Sequence, residues 1–233
     1  MPQHPSPSPP RVRSRRIRSR PDPAEFIHSH TKLSPVPGLP HIRLHLAHQA
    51  TGLWRLAAAA SDAADPPPPY WAFPWAGGMA LARYLAAEPS VIAGKRVLDL
   101  GSGSGLVAIA AAKADATEVL ASDIDPYAIA AIAANAAANG VTVTARLGDL
   151  TAGPPPAVDI ILVGDLFYEP ALALRVAAFL DRCRAAGIAA LIGDPHRKYL
   201  PAARLRLLAE YAVPDVGDVE SAGAPPAAVF AWV

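Results

Sequence analysis

Asp99 stands two residues ahead of three glycines at alternate positions, Gly101, Gly103 and Gly105, in the stretch VLDLGSGSGL (97–106). An apolar run that meets an acid and then opens into glycines reads as a strand followed by a turn whose bare backbone leaves room for a ligand over a helix start. Counted from Gly103 to Ala108, the same residues also satisfy G-x-G-x-x-A, so spacing alone does not exclude a dinucleotide. The acid separates the two cases. A carboxylate at the mouth of a phosphate loop repels the charge that a helix N-terminus is meant to attract. A phosphate-free ligand bearing cations is favoured there instead.

S-adenosylmethionine, with its ammonium and sulfonium, has that charge. Asp123, about twenty residues on at the end of the next apolar run, can accept both hydroxyls of a ribose in charge-assisted hydrogen bonds, a device that an NAD site shares. Asp149, in GDL (148–150), is set either to accept from an adenine amino group or to cap a turn. An acid and an aromatic, Asp165 and Tyr168 in GDLFYEP (164–170), then share the same edge.

These residues need a scaffold that brings distant turns together. From about residue 95, short β-branched or Leu-rich runs alternate with alanine-rich stretches of helical length, which predicts a parallel sheet with helices on both faces. The predicted strands are 96–100, 118–122, 141–147, 159–164 and 188–193. A helix over DPYAIAAIAANAAANG has Asp125 as cap, Pro126 in its first turn and Gly140 as its stop. Beyond residue 193 the pattern predicts a helix near 200–209, then EYAVPDVGDV and AAVFAWV as an antiparallel pair around the turn SAGAPP. The expected fold is therefore α/β: a doubly wound, seven-stranded, mostly parallel Rossmann-like sheet with an antiparallel C-terminal strand pair and an N-terminal cap. Residues 24–90 form the cap and 91–233 the core of one domain spanning 24–233.

Composition sets outer limits. A chain of 233 residues with 52% hydrophobic residues can bury a core without disulfides or metals. Its net charge of +1 conceals an arm, residues 1–23, that carries Arg11, Arg13, Arg15, Arg16, Arg18 and Arg20 among prolines and serines. Too little apolar surface is available there to offset ordering, so the arm reads as disordered. The remainder is mildly acidic, against a nucleic-acid partner. Cys183, the only cysteine, fits a small buried residue in a reducing cytoplasm. No apolar run is long enough for a bilayer, and a soluble, cytoplasmic monomer without a metal is expected.

At Asp165-Leu166-Phe167-Tyr168 the chain resembles the seven-β-strand methyltransferases, and within them the protein-lysine group marked by D/E-x-x-Y/F after the fourth strand. PYWAFPWAGGMALARYL (69–85), the glycine stretch with SDIDPYAIAAIAANAAANG, and IGDPHRKYLP (192–201) are similar to the branch that methylates lysines of the electron transfer flavoprotein β subunit. The resemblance covers roughly residues 24–233. It implies S-adenosylmethionine as cofactor and a protein substrate, the β subunit first, with another protein such as a ribosomal stalk protein, or a small amine, as alternatives. It also implies Phe167, Asp194 and Arg197 at the substrate-facing edge.

Transfer to a lysine needs geometry and an uncharged amine, and lysine starts near pKa ~10.4. Desolvation against aromatic walls and a nearby sulfonium lower that value, whereas Asp165 alone raises it. Asp165 is therefore expected to dock the incoming ammonium and Tyr168 to line its channel. Trp71, Phe73 and Trp75 are candidates for a wall over the methionyl end and the channel, since aromatic faces favour cations; each could instead pack the cap onto the sheet. Trp54 reads as core, and His196 as a structural or solvated loop residue. An NAD-dependent oxidoreductase is the alternative of another class, and Asp99 opposes it.

Overall fold

The computed structural model describes residues 22–48, 52, 53, 55, 68–213 and 226–233. The basic arm through residue 21, Trp54, and EYAVPDVGDV beyond residue 213 lie outside the described residues.

Chain order is α1 (Pro23–His30), β1 (Thr31–Val36), β2 (Leu39–Ala47), α2 (Ala76–Ala87), β3 (Arg96–Leu100), α3 (Leu106–Lys113), β4 (Glu118–Asp123), α4 (Pro126–Ala138), β5 (Thr144–Leu147), β6 (Ile160–Gly164), α5 (Pro170–Ala185), β7 (Ala189–Asp194), β8 (Leu205–Tyr211) and β9 (Ala227–Trp232). Seven strands form one sheet in the order β5-β4-β3-β6-β7-β9-β8, and β1 and β2 make a separate antiparallel pair. The strands from β5 to β7 pair in parallel, and β9 is antiparallel to both neighbours.

The central strands are apolar on both faces because both are covered. Val97, Ile160 and Leu162 point into one core with α2 and α3, while Leu98, Ile161 and Val163 point into the other with Val176, Phe179 and Leu180 of α5. Helix α4 is bounded as its residues require: the Asp125 side chain accepts the Tyr127 N–H at 2.8 Å, Pro126 opens the first turn, and Gly140 leaves with φ +65°.

Two sequence expectations change. The predicted helix near 200–209 is a short 3-10 turn, Ala202–Arg204, followed by strand β8. Arg, Leu, Ala and Glu favour a helix in isolation, but pairing of Leu205–Tyr211 along β9 overrides that preference. Strand β5 begins at Thr144 rather than 141. Of the segment ahead of the core, α1 and the β1-β2 hairpin pack on α4, whereas α2 packs directly on the sheet at β7 and β9.

That packing depends on glycine. A Cβ on Gly77 would lie 2.2 Å from the Gly193 carbonyl oxygen, and one on Gly193 would lie 2.1 Å from that of Gly77. The start of α2 therefore rests against the ends of β6 and β7 at backbone distance.

Candidate active site

The order of strands reverses at β3, whose neighbours β4 and β6 lead to opposite sides, and the carboxyl ends of the strands there form the expected crevice. A cavity of about 500 Å³ occupies it, within the range of small-molecule sites. Asp99 near the end of β3, Gly101 and Gly103 after it, Asp123 at the end of β4, Asp149 after β5, Asp165 and Tyr168 after β6, Arg197 after β7, and Trp71, Phe73 and Trp75 ahead of α2 all line it.

The glycine loop is held from beneath. Asp99 is buried; its Oδ2 accepts the Ser102 hydroxyl at 2.5 Å and the Ala108 N–H at 3.0 Å. Burial pushes its pKa up to about 7 against those hydrogen bonds. Asp123 accepts the Gly103 N–H at 2.8 Å and the Asp125 N–H at 3.0 Å, and burial raises its pKa as well. The three glycines, each expected to make room for ligand, have different reasons. A Cβ on Gly101 would strike Leu166, and Gly105 is the αL cap of α3, packed on Ile132 and outside the cavity lining. Only Gly103 faces open space, with nothing nearer than the Trp71 backbone at 3.8 Å. Asp149 does what a turn cap does, its Oδ1 accepting from the Thr151 N–H and hydroxyl, while also lining the cavity.

At the other end the acid is paired. Asp165 sits at φ +57°, a left-handed conformation that Asp tolerates better than most residues. Its Oδ2 accepts the Gly78 N–H at 2.8 Å, in the first turn of α2. Its Oδ1 accepts Arg197 Nε at 3.1 Å and Nη2 at 2.7 Å. Burial pushes the Asp165 pKa up to about 6, partly opposed by the Arg197 charge and the Gly78 hydrogen bond. The guanidinium also lies 5.6 Å from the Trp75 ring centroid, and Trp75 Nε1 donates to the Tyr70 carbonyl at 2.9 Å. Tyr70 meets Trp75 at 5.5 Å and Tyr168 at 5.7 Å between ring centroids.

Several expected residues lie elsewhere. Phe167 is fully buried and stacks on Trp232 in the α5-side core, outside the cavity lining, where the αL turn at Asp165 directs it. Asp194 is also buried, off the cavity, where its Oδ1 accepts the Arg197 N–H at 2.6 Å and so shapes the loop. Trp71 does line the cavity, but it presents little surface there, its ring packed with Phe26 and Tyr127. His196 lies edge-on to Phe230 and outside the cavity lining. Conversely Tyr70, Ser102, Ile124, Leu166 and Arg175 line the cavity without having been singled out. Tyr70 was legible, being the aromatic that begins YWAFPW.

A nucleoside-sized crevice over an open glycine turn, with carboxylates at the carboxyl ends of four successive strands and an aromatic cation cluster at its far end, defines an S-adenosylmethionine-dependent methyltransferase. The donor set fits that cofactor: the Asp99 and Asp123 carboxylates both line the cavity, the types of group that would meet a cation and a diol. The fold alone is shared with a solved protein from Pyrococcus horikoshii described as a candidate RNA methyltransferase, 17% identical, which superposes with TM-score 0.54 over 76% of this chain and 96% of that one. The sequence model of ribosomal protein L11 methyltransferase (PrmA) matches residues 82–167. Electron transfer flavoprotein β subunit lysine methyltransferases from Rattus norvegicus and Xenopus laevis are 38% and 37% identical, over 82% and 90% of this chain and 76% and 87% of their own lengths. The chain belongs to the electron transfer flavoprotein β-subunit lysine methyltransferase family.

Proposed function

We propose that this protein methylates lysine side chains of the electron transfer flavoprotein β subunit, with Asp165 and Tyr168 at the acceptor end and Asp99, Gly101, Gly103, Asp123, Asp149 and Trp75 around the cofactor. The observation that carries the reading is one continuous cavity reaching from the glycine loop to the Asp165, Tyr168 and Trp75 cluster. Relatives sharing the β-subunit name over most of the chain support the choice of substrate. The L11 methyltransferase match stops at residue 167, short of Tyr168 and Arg197, and leaves out Trp75. It spans the cofactor half and speaks less to the acceptor.

S-adenosylmethionine, when bound, supplies an electrophilic methyl on a sulfonium, from which a neutral thioether leaves. The protein's task is to orient the amine and exclude water. Tyr168, about half exposed, and Tyr70 provide the rims of a channel for an alkyl stem. Asp165, pinned by Gly78, fixes the polar end of that channel. Residues 24–90 are taken as the cap, and a cytoplasmic monomer acting without metal, membrane or nucleic acid completes the proposal. Among the described residues no helix is long and apolar enough to cross a membrane.

The test is incubation of the purified chain with radiolabelled S-adenosylmethionine and the isolated β subunit, followed by mass spectrometry. Methyllysine on the β subunit is the expected result. Label confined to another protein or to small amines overturns the substrate.

A further inference from the structure

The acceptor end already contains a permanent cation. Arg197 presents Nε and Nη2 to one oxygen of Asp165 and sits over the Trp75 ring, with only a fifth of its side chain exposed. Its backbone is fixed independently by Asp194 Oδ1, and its carbonyl accepts the Leu200 N–H at 3.0 Å. An arginine held at several points keeps its proton at any working pH.

A bare carboxylate beside the acceptor would stabilise the lysine as ammonium, which cannot attack. The paired carboxylate presents no net charge, and the guanidinium disfavours a second cation nearby. Building on the function proposed above, we propose that Arg197 is a positioning residue that sets the acceptor's protonation state: by neutralising Asp165, it removes the charge that would hold ammonium and so biases the docked lysine toward the free amine. The proton goes to solvent before transfer. The free amine then forms the N–C bond as the C–S bond breaks, and the methylated ammonium that results meets no uncompensated carboxylate to retain it.

Other charged and titratable groups face this end. Asp194 lies beside Asp165 from the end of β7; Glu169 and Arg175 act on Tyr168 from the β6 turn and α5, and Tyr70 and Asp123 act on it from the aromatic turn and β4. Helix α2 contributes the Gly78 N–H and no charged side chain in its first turn.

The experiment compares wild type, R197Q and R197K for the pH dependence of kcat at saturating cofactor, with whichever acceptor the labelling assay identifies. It adds binding of n-butylamine at pH 7 in the presence of S-adenosylhomocysteine, read by tryptophan fluorescence. The expected result is an acid limb displaced upward by about one pH unit or more in R197Q and retained in R197K, with n-butylammonium binding R197Q more tightly than wild type. A uniform loss of rate with an unmoved limb, or unchanged butylamine affinity, overturns the proposal. Should R197Q fold poorly, D165N supplies the opposite sign in the binding readout, n-butylammonium binding it more weakly than wild type; unchanged affinity overturns the proposal equally. Labelling of an acceptor other than the β subunit would refute the substrate alone, because the limb and the butylamine readout follow the amine.

Discussion

Asp165 and Gly78, 87 positions apart in the chain, are joined by a 2.8 Å hydrogen bond from the Gly78 N–H to Oδ2. The acid is thus seated on the positive end of α2 as well as against Arg197. Asp165→Ala is expected to abolish transfer while leaving S-adenosylhomocysteine affinity nearly unchanged. It also strands Arg197, and losing one member of such a pair costs about 3–5 kcal/mol. Calorimetric binding beside thermal unfolding separates the two effects; transfer at the wild-type rate would refute the role given to Asp165.

Neighbouring glycines should behave oppositely. Gly77→Ala drives a methyl into the Gly193 carbonyl and to 2.6 Å from Asp165 Oδ2, whereas at Gly78 the nearest atom is a flexible Val107 methyl at 3.7 Å. Gly77→Ala is expected to lower stability by about 1–3 kcal/mol or more, with Gly78→Ala close to neutral. Denaturant midpoints measure the difference.

Asp123→Ala removes the acceptor that holds the Gly103 N–H and faces the nucleoside end. Cofactor binding is expected to weaken about 10- to 100-fold, the scale of hydrogen bonds to a charged group. Titration with S-adenosylhomocysteine decides it, and affinity within twofold of wild type would remove Asp123 from the site.

Asp99 ties both stability and binding to pH. Its folded pKa of about 7 lies above that of the unfolded chain. Its contribution to stability is therefore fully present below pH ~4 and lost as pH rises through about 7. D99N should flatten the fall in Tm between those values. Because the ionised form favours a cationic ligand, S-adenosylhomocysteine affinity should rise with pH through neutrality in wild type and not in D99N.

Phe167 and Tyr168 are adjacent but opposed. Phe167→Ala opens a core cavity and should cost about 3–5 kcal/mol while the remaining folded enzyme keeps its KM. Tyr168→Ala should leave Tm unchanged and reduce transfer. Measuring both quantities on both variants checks the assignment.

Much of this was readable in the residues. Alternating runs located the parallel strands, and Asp125, Pro126 and Gly140 bounded α4, because these signals are local. What was hidden depends on distant partners. Leu205–Tyr211 has helical composition and becomes a strand only because β9 lies beside it. The inward turn of Phe167 follows from a positive φ at Asp165, and the pairing of that acid from loops 32 residues apart. No spacing rule announces that Gly77 and Gly193 touch.

Helix α4 carries Asn135 and is capped at its C-terminus by Asn139, one turn on. Asn139 hydrogen-bonds both the N–H and the carbonyl of Arg43, and Asn135 accepts from the His45 N–H at 2.7 Å while donating to the Ser104 carbonyl at 2.8 Å. The hairpin strand β2 is thereby stitched to the glycine loop through one buried amide, although no hairpin residue lines the cavity. A fragment trimmed to begin at the aromatic turn would keep every described residue that lines the cavity and still lose half of that stitch. The smallest stable catalytic unit is therefore expected to be larger than the outline of its cavity and to extend back to β2.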